Sequence, residues 1–353
     1  MGFTYSDGSS LINTEQKVRI SLSEKAMLTI KEDMLIFSVN KLSTFINTVF
    51  ENYRDEAYAS ISVYAEQRRM DLNEHLASVK LDEPTLKSII DPLIQAEIDN
   101  IQDTVKQYTA SKSSSNLYRI NNNNVDYLTY DCKENLFYKS PGQYIRSVIE
   151  EYCSLSFIDR EAIYKKPIYD KIKQACKEQL TLRITANYYG KDQNFIVYPY
   201  KIVHDAFHTQ SYLVCYSYKA EESPKNKRIA SFSMAKITMP RIISKRSHLS
   251  KEQKEEIDSQ LAKASPAYLV GDQDTITVRL TEKGKKSYQS RIYSRPEITK
   301  QGSTPDEYVF DCTAQQAFNY FFSFGAEAEI ISPSYLRERF MRTHENALAQ
   351  YKH

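Results

Sequence analysis

Two stretches of this 353-residue chain echo each other at a nearly constant separation, and that echo limits its fold more than any other feature. Val18-Arg19-Ile20 aligns with Tyr118-Arg119-Ile120 at an offset of 100, and FINTVFENY (45–53) aligns with YIRSVIEEY (144–152) at 99. Blocks that keep their spacing to within one residue point to a duplicated structural unit. In the first copy, residues 17–22 alternate polar and apolar, the period of a half-buried strand. Lys17, Arg19 and Ser21 then share the outer face, while Val18, Ile20 and Leu22 face the core. Ser23 is placed to cap a helix from Glu24 to about Phe37. Ser38-Val39-Asn40 breaks it, and Ser43 is placed to cap a second helix with Phe45, Ile46, Val49 and Phe50 at helical spacing. The same strand-helix-helix order is expected over 117–152. Antiparallel pairing of the strands near Arg19 and Arg119 would remove two exposed strand edges.

Helical material is expected between the copies. Arg54 to Leu76 reads as an extension of the second helix. Asp91 reads as a cap for Pro92, a favoured first helical residue. Leu93, Ile94, Ile98, Ile101, Val105 and Tyr108 trace an apolar stripe from there. Ser111 to Asn116 has the composition of a linker, and 165–179 reads as a further short helix.

At Leu180 the pattern changes. Residues 182–189, 195–204, 211–219, 228–234 and 237–244 read as five strands rich in Tyr, Ile and Val, which suggests a small barrel. Charge concentrates in the same place. Over 180–249, eleven Lys and Arg face four Asp and Glu, a surplus of seven, so the remaining residues carry −5 against the chain's total of +2. Such clustering is the footprint of an anionic ligand. No glycine-rich phosphate loop, G-x-S-x-G or H-E-x-x-H pattern occurs, so a non-enzymatic protein without a cofactor is expected. His204 and His208 are four apart, but no Cys or carboxylate pattern accompanies them, and no metal site is expected. Five scattered cysteines without metal or redox spacing fit reduced thiols in the cytoplasm. The start MGFTYSDGSS lacks a basic segment followed by an apolar run, and no stretch has the length of a membrane span. No membrane partner is expected.

Residues 17–53 resemble the ribbon-helix-helix fold, in which two strands form a ribbon that enters the major groove. The resemblance leaves two roles open for the ribbon here, DNA contact or dimerisation alone. Residues 182–244 resemble the WYL domain, whose core is an Sm-like barrel. Ser211-Tyr212-Leu213 stands for the naming tripeptide, with its Trp replaced, and Pro199 matches the preceding proline. Phe232, Lys236 and Ile237 match the later signature, while Ser233 and Ala235 depart from it. AQQAFNYFFSFGAEAEIISPSYLRERF (314–340) resembles the extension that follows WYL domains, with a helix, a Gly-Ala-Glu turn, a strand, Pro333 and a closing helix. Strands at 275–280 and 307–313, with a helix near 282–292, complete an α+β sandwich.

The resemblance implies a multidomain α+β protein. Its parts are a helical region over 1–164 with ribbon-helix-helix-like units at 17–53 and 117–152, a WYL domain over 165–249 and a dimerising extension over 250–353. It also implies a nucleic-acid or nucleotide pocket, where Lys and Arg meet phosphates and aromatic rings accept bases. Tyr198, Lys201, His204, Tyr212, Arg228 and Lys236 are the residues singled out for it. The combination is similar to the accessory proteins of type VI-D CRISPR systems. That family implies a homodimer that binds single-stranded RNA and stimulates an RNA-guided RNase. The rival is a transcription regulator that reads duplex DNA with its N-terminus and senses a ligand through the WYL pocket.

Overall fold

The computed structural model describes residues 2–5, 9–12, 15–109, 113–188, 191–205, 210–244, 249–263, 265–269, 273–292 and 294–351. It divides into two units, Met1–Lys166 and Pro167–His353. Together they hold helices and three antiparallel sheets, an α+β architecture with no sheet closed among the described residues.

The alternating segment forms β1 (Lys17–Ser23), with Val18, Ile20 and Leu22 buried and Lys17 and Arg19 exposed. Ser23 ends the strand and caps α1 (Glu24–Ile36): its hydroxyl accepts from the Ala26 N–H at 3.1 Å and donates to Glu150 at 2.7 Å. A residue with positive φ, Ser38, follows α1 and turns the chain. α2 (Leu42–Tyr53) starts one residue before Ser43. Its cap is the extended Lys41, and the Ser43 carbonyl is bonded by Asn47 Nδ2, so the expected Ser43 cap is absent.

Three expectations for the intervening helices need correction. The second helix does not run on to Leu76. It stops at Tyr53, because Glu151 accepts from the Tyr58 and Ala59 N–H groups, both at 2.9 Å, and holds a turn there. α3 (Ile61–Leu76) begins afresh after that turn. Pro92 does not start a helix but lies inside α4 (Glu83–Thr109). Proline removes one helical hydrogen bond, yet the buried stripe Ile90, Ile94, Ile98, Ile101 and Val105 keeps α4 continuous against α3 and α6. Asp91 pairs with Arg69 at 2.5 Å instead of capping, and Leu93 is exposed. Finally, Ser113–Asn116 is no linker. These residues open β2 (Ser113–Arg119), whose backbone satisfies the free edge of β1 from Ser23↔Ser113 to Lys17↔Arg119; 111–112 lie outside the described residues.

The second copy keeps the strand and the last helix but alters the middle. α5 (Asn122–Asp126) passes into a π-helical turn at Tyr127–Asp131, and a 3-10 turn at Glu134–Leu136 leads to α6 (Pro141–Ser154). The equivalence is visible at the ribbon. Asn47 of α2 donates to the Arg119 carbonyl at 2.9 Å, and a Cβ on Gly142 of α6 would lie 2.2 Å from the Arg19 carbonyl oxygen. Each helix therefore rests on the other copy's strand. α7 (Phe157–Tyr164) completes the unit.

In the second unit, α8 (Lys166–Glu178) leads into the five strands read from the sequence: β3 (Thr181–Tyr188), β4 (Lys191–Asp205), β5 (Gln210–Lys219), β6 (Arg228–Ser233) and β7 (Ile237–Ser244). Their order is β6-β5-β4-β3-β7. A 3-10 turn of three residues, Met234–Lys236, carries the chain from one edge strand to the other, and β7 then pairs with β3. All five strands of the anticipated barrel are present, but β6 and β7 are not hydrogen-bonded to each other among the described residues. α9 (Lys251–Lys263), which the sequence reading missed, follows. The remaining strands, β8 (Gln273–Leu280), β9 (Ile298–Gln301), β10 (Glu307–Thr313) and β11 (Ala328–Ser332), form a sheet in the order β11-β8-β10-β9. α10 (Glu282–Ser290), α11 (Ala314–Phe322) and α12 (Ser334–Gln350) accompany it, around a core that includes Ile276, Val278, Phe310, Phe321, Leu336 and Phe340. Gly325, at φ +58°, makes the turn between α11 and β11.

Candidate nucleic-acid interface

Successive residues of a strand face opposite sides of a sheet, so the register of β3–β7 sorts the predicted residues. Tyr198 lies opposite Tyr216, which lies opposite Ile229; Lys201 lies opposite Val214 after a bulge at Pro199–Lys201; Tyr212 lies opposite Ser233. Tyr198, Lys201 and Tyr212 thus share one face. His204 is opposite Ser211 and Arg228 opposite Ser217, one residue out of phase, so they belong to the other face. Lys236 is exposed on the 3-10 turn just beyond Ser233, at the same end of the sheet as Tyr212.

The first face is partly covered. Ile257 and Leu261 of α9 pack with Val214, Tyr216 and Ile229, with Tyr198, Tyr200 and Val203 alongside. Acidic groups on α9 take up the polar tips. Asp258 accepts from Lys201 Nζ at 2.7 Å and from the Tyr200 hydroxyl at 2.8 Å, and Glu256 accepts from the Tyr216 hydroxyl at 2.5 Å. Hydrogen bonds from Lys201 and Tyr200 hold the Asp258 carboxyl below its usual range. Burial, then the Glu256 bond, pushes the Tyr216 hydroxyl up. Lys201 therefore already has an anionic partner within its own chain.

Beyond α9 the face carries a second constellation that the sequence reading missed. Arg183 on β3 and Arg241 on β7 are direct cross-strand partners, both exposed, and neither forms an ion pair among the described residues. Like charges directly opposite are destabilising in a sheet, and an anion bridging them would relieve the repulsion. In the same row, Arg183 is opposite Ile196 and Ile196 opposite Tyr218. The Tyr218 ring lies 6.4 Å from that of Tyr198, and Lys227 Nζ sits 4.9 Å above Tyr198 and 5.4 Å above Tyr216. Cations beside partly exposed aromatic faces are what a single strand needs: phosphate neutralisation and stacking. Only strand register reveals that Arg183 and Arg241 meet.

Tyr212 is half-buried, and its hydroxyl and that of Ser233 share Gln210 Oε1 at 3.3 and 3.4 Å. His204 Nδ1 is 2.9 Å from Ser211 Oγ; His208 lies outside the described residues. Among the described residues no group of three or more His, Cys, Asp and Glu is placed to hold a metal, and no helix is long and apolar enough to cross a membrane. On the ribbon, Lys17 and Arg119 are also direct partners, but Lys17 has Glu15 at 2.5 Å. Arg19 faces outward opposite Leu117, and Ser21 opposite Ser115.

No family model and no curated protein matches the sequence. Among solved structures, the crystal structure of a CRISPR Cas-related protein superposes with a TM-score of 0.72 at 20% identity, covering 99% of this chain and 98% of that one. The two chains share a fold from end to end. Proteasome accessory factor B/C (PafBC) of Arthrobacter aurescens gives a TM-score of 0.31 at 13% identity over 68% of this chain and 37% of that one, too distant to carry an argument.

Proposed function

We propose that this protein is a non-enzymatic, CRISPR-associated regulator that binds single-stranded RNA on the open part of its five-stranded sheet. The opposed pair Arg183–Arg241 beside Tyr198, Tyr218 and Lys227 carries the RNA reading. The end-to-end likeness to a CRISPR Cas-related protein supports the association. In this reading it acts in the cytoplasm as a homodimer and stimulates an RNA-guided ribonuclease of the type VI-D kind. The sheet order, with the fifth strand beside the first, supports an Sm-like core of WYL type. The intrachain ribbon, with a helix from each copy on the other's strand, supports a ribbon-helix-helix-like unit. Residues 165–249 and 250–353 serve as the WYL domain and its extension, with α9 as the junction. Arg228, His204 and Lys236 extend the basic surface around the sheet's other face and rim.

A second reading, duplex DNA binding by a transcription regulator, is favoured by the exposed ribbon face with Lys17, Arg19, Ser21 and Arg119. Titrations of single-stranded RNA and duplex DNA over a range of salt separate the two. Replacing both Arg183 and Arg241 by Ala should weaken RNA binding and flatten its salt dependence by roughly 1.4 log units, about 0.7 per lost phosphate contact. Duplex DNA preferred at every salt concentration, and weakened by Arg19→Ala alone, would overturn the RNA reading.

A further inference from the structure

The first unit holds a cleft of about 470 Å³ that is bounded by the last turns of α4, the start of α3 and the segment leading into α6. Its volume falls in the range of small-molecule sites. Three cations line it: Lys106 from α4, Lys139 from the loop and Arg146 from α6. None of its lining residues is acidic. Carboxylates stand behind the lining: Asp103 is 2.9 Å from Lys106 Nζ, Glu150 is 3.9 Å from Arg146 Nε, and Glu134 and Glu151 act on Tyr138. Lys139 is exposed and forms no ion pair among the described residues.

Planar and amide groups complete the lining. Phe137 and Tyr138 are half-buried beside the cations, and Gln102 and Gln143 contribute amides. The wall is fixed rather than loose. The Tyr138 hydroxyl donates to the Ala59 carbonyl at 2.8 Å, and its ring lies 5.4 Å from the buried Tyr144 ring. Ser140 caps α6 through the Gln143 N–H at 3.3 Å. The Lys139 N–H donates to Gln143 Oε1 at 3.0 Å, which leaves that side chain's NH₂ as a donor. Ile61 and Val105 supply the apolar floor.

Lys139, which has no ion pair among the described residues, can meet an anion in a cleft whose lining holds no acid, the two aromatic rings can accept a flat ring, and the amides can read a hydrogen-bonding edge. We infer that this cleft binds a nucleoside phosphate, either as a free nucleotide or as one unit of an RNA strand. The site is separate from the five-stranded sheet and does not depend on the function proposed for it.

The test uses the full chain and two probes, adenosine 5′-monophosphate by calorimetry and a labelled single-stranded RNA by anisotropy. Lys139→Glu and Gln143→Ala alter exposed side chains. Phe137→Ala is included if its thermal melt matches the parent's. Lys139→Glu should weaken binding about tenfold, since it replaces attraction to phosphate by repulsion. Loss with the mononucleotide assigns the cleft to a free nucleotide, and loss with RNA alone assigns it to a strand. Unchanged affinity for both probes in folded variants overturns the inference. The Arg183→Ala, Arg241→Ala double variant runs alongside. RNA binding lost there, with affinity for both probes kept in Lys139→Glu, sinks the cleft and spares the sheet; RNA binding kept there but lost in Lys139→Glu sinks the sheet reading.

Discussion

Among the described residues, the first unit buries five carboxylates, Asp33, Glu134, Glu150, Glu151 and Glu161, and the second buries two, Asp205 and Glu307. The difference follows from what each unit is made of. A helical unit leaves N–H groups unsatisfied at every helix start and turn, and here buried carboxylates supply acceptors beside the side-chain caps Ser23, Asn121, Ser140 and Ser156. Glu150 takes the Ser23 N–H at 2.6 Å, Glu151 takes those of Tyr58 and Ala59, and Glu134 takes that of Ser62 at 3.0 Å. Asp33 binds Arg160 through both oxygens, at 2.8 and 3.0 Å, and also accepts from the buried Tyr152 hydroxyl. In the second unit the sheets satisfy most of their own backbone, and acids such as Asp258 and Glu329 sit at the surface. Buried charge fixes how helices meet in one unit; ladders and aromatic packing fix the other.

The largest test of that contrast is Asp33→Ala. Removing one partner of a buried pair strands the other charge, so a loss of about 3–5 kcal/mol is expected. Glu329, which bridges Arg279 and Arg337 at half-exposed positions, should cost about 1 kcal/mol or less when replaced by Ala. Denaturant unfolding of the two variants checks both values. Equal losses would break the comparison.

Lys165 sharpens it through pH. Burial pushes its ammonium down to about 8, against a weaker opposing pull from Glu161. The unfolded chain keeps that proton to about pH 10.4. Between those values the unfolded state binds more protons, so this group makes stability rise with pH. The buried Cys132 thiol, pushed up to about 12, acts in the opposite sense over the same window. The readout is therefore the difference between the parent and Lys165→Met. That difference should grow in the parent's favour by up to about 3 kcal/mol from pH 8 to 10.5. A constant difference would show that Lys165 keeps its charge in the folded protein.

What could be read from the sequence follows the same division. The five strands of the second unit and β1 were legible because alternation is local, and Ser23 because a cap is defined by the residues beside it. The continuity of α4 through Pro92 was not, since it depends on Ile90–Val105 finding α3 and α6. Ser113–Asn116 looked like a linker because serine composition says nothing about a free strand edge elsewhere. At the candidate interface, the tyrosines and lysines of β4–β6 were visible as residue types. Their faces were not, because the bulge at Pro199–Lys201 shifts the phase. The meeting of Arg183 with Arg241, and the cover that α9 places over Lys201, are products of tertiary pairing.

The smallest expected change in stability, and the most informative for function, is at Asp258. Its carboxylate and the Lys201 ammonium are each nearly half exposed, so Asp258→Ala should change stability by no more than about 1 kcal/mol. Its effect on binding should run the other way. Losing the carboxylate frees Lys201 Nζ and the Tyr200 hydroxyl on the face that also carries Tyr198 and Lys227. If single-stranded RNA runs along this face, affinity should rise, and the salt dependence should steepen by about 0.7 log units as one more cation meets phosphate. Anisotropy titrations of the parent and the variant over a salt series give both quantities. Lys201→Ala in the Asp258→Ala background should return them to the parent's values. If affinity and slope stay the same while the variant remains folded, Lys201 lies outside the RNA path, and the interface is confined to the Arg183–Arg241 end of the sheet.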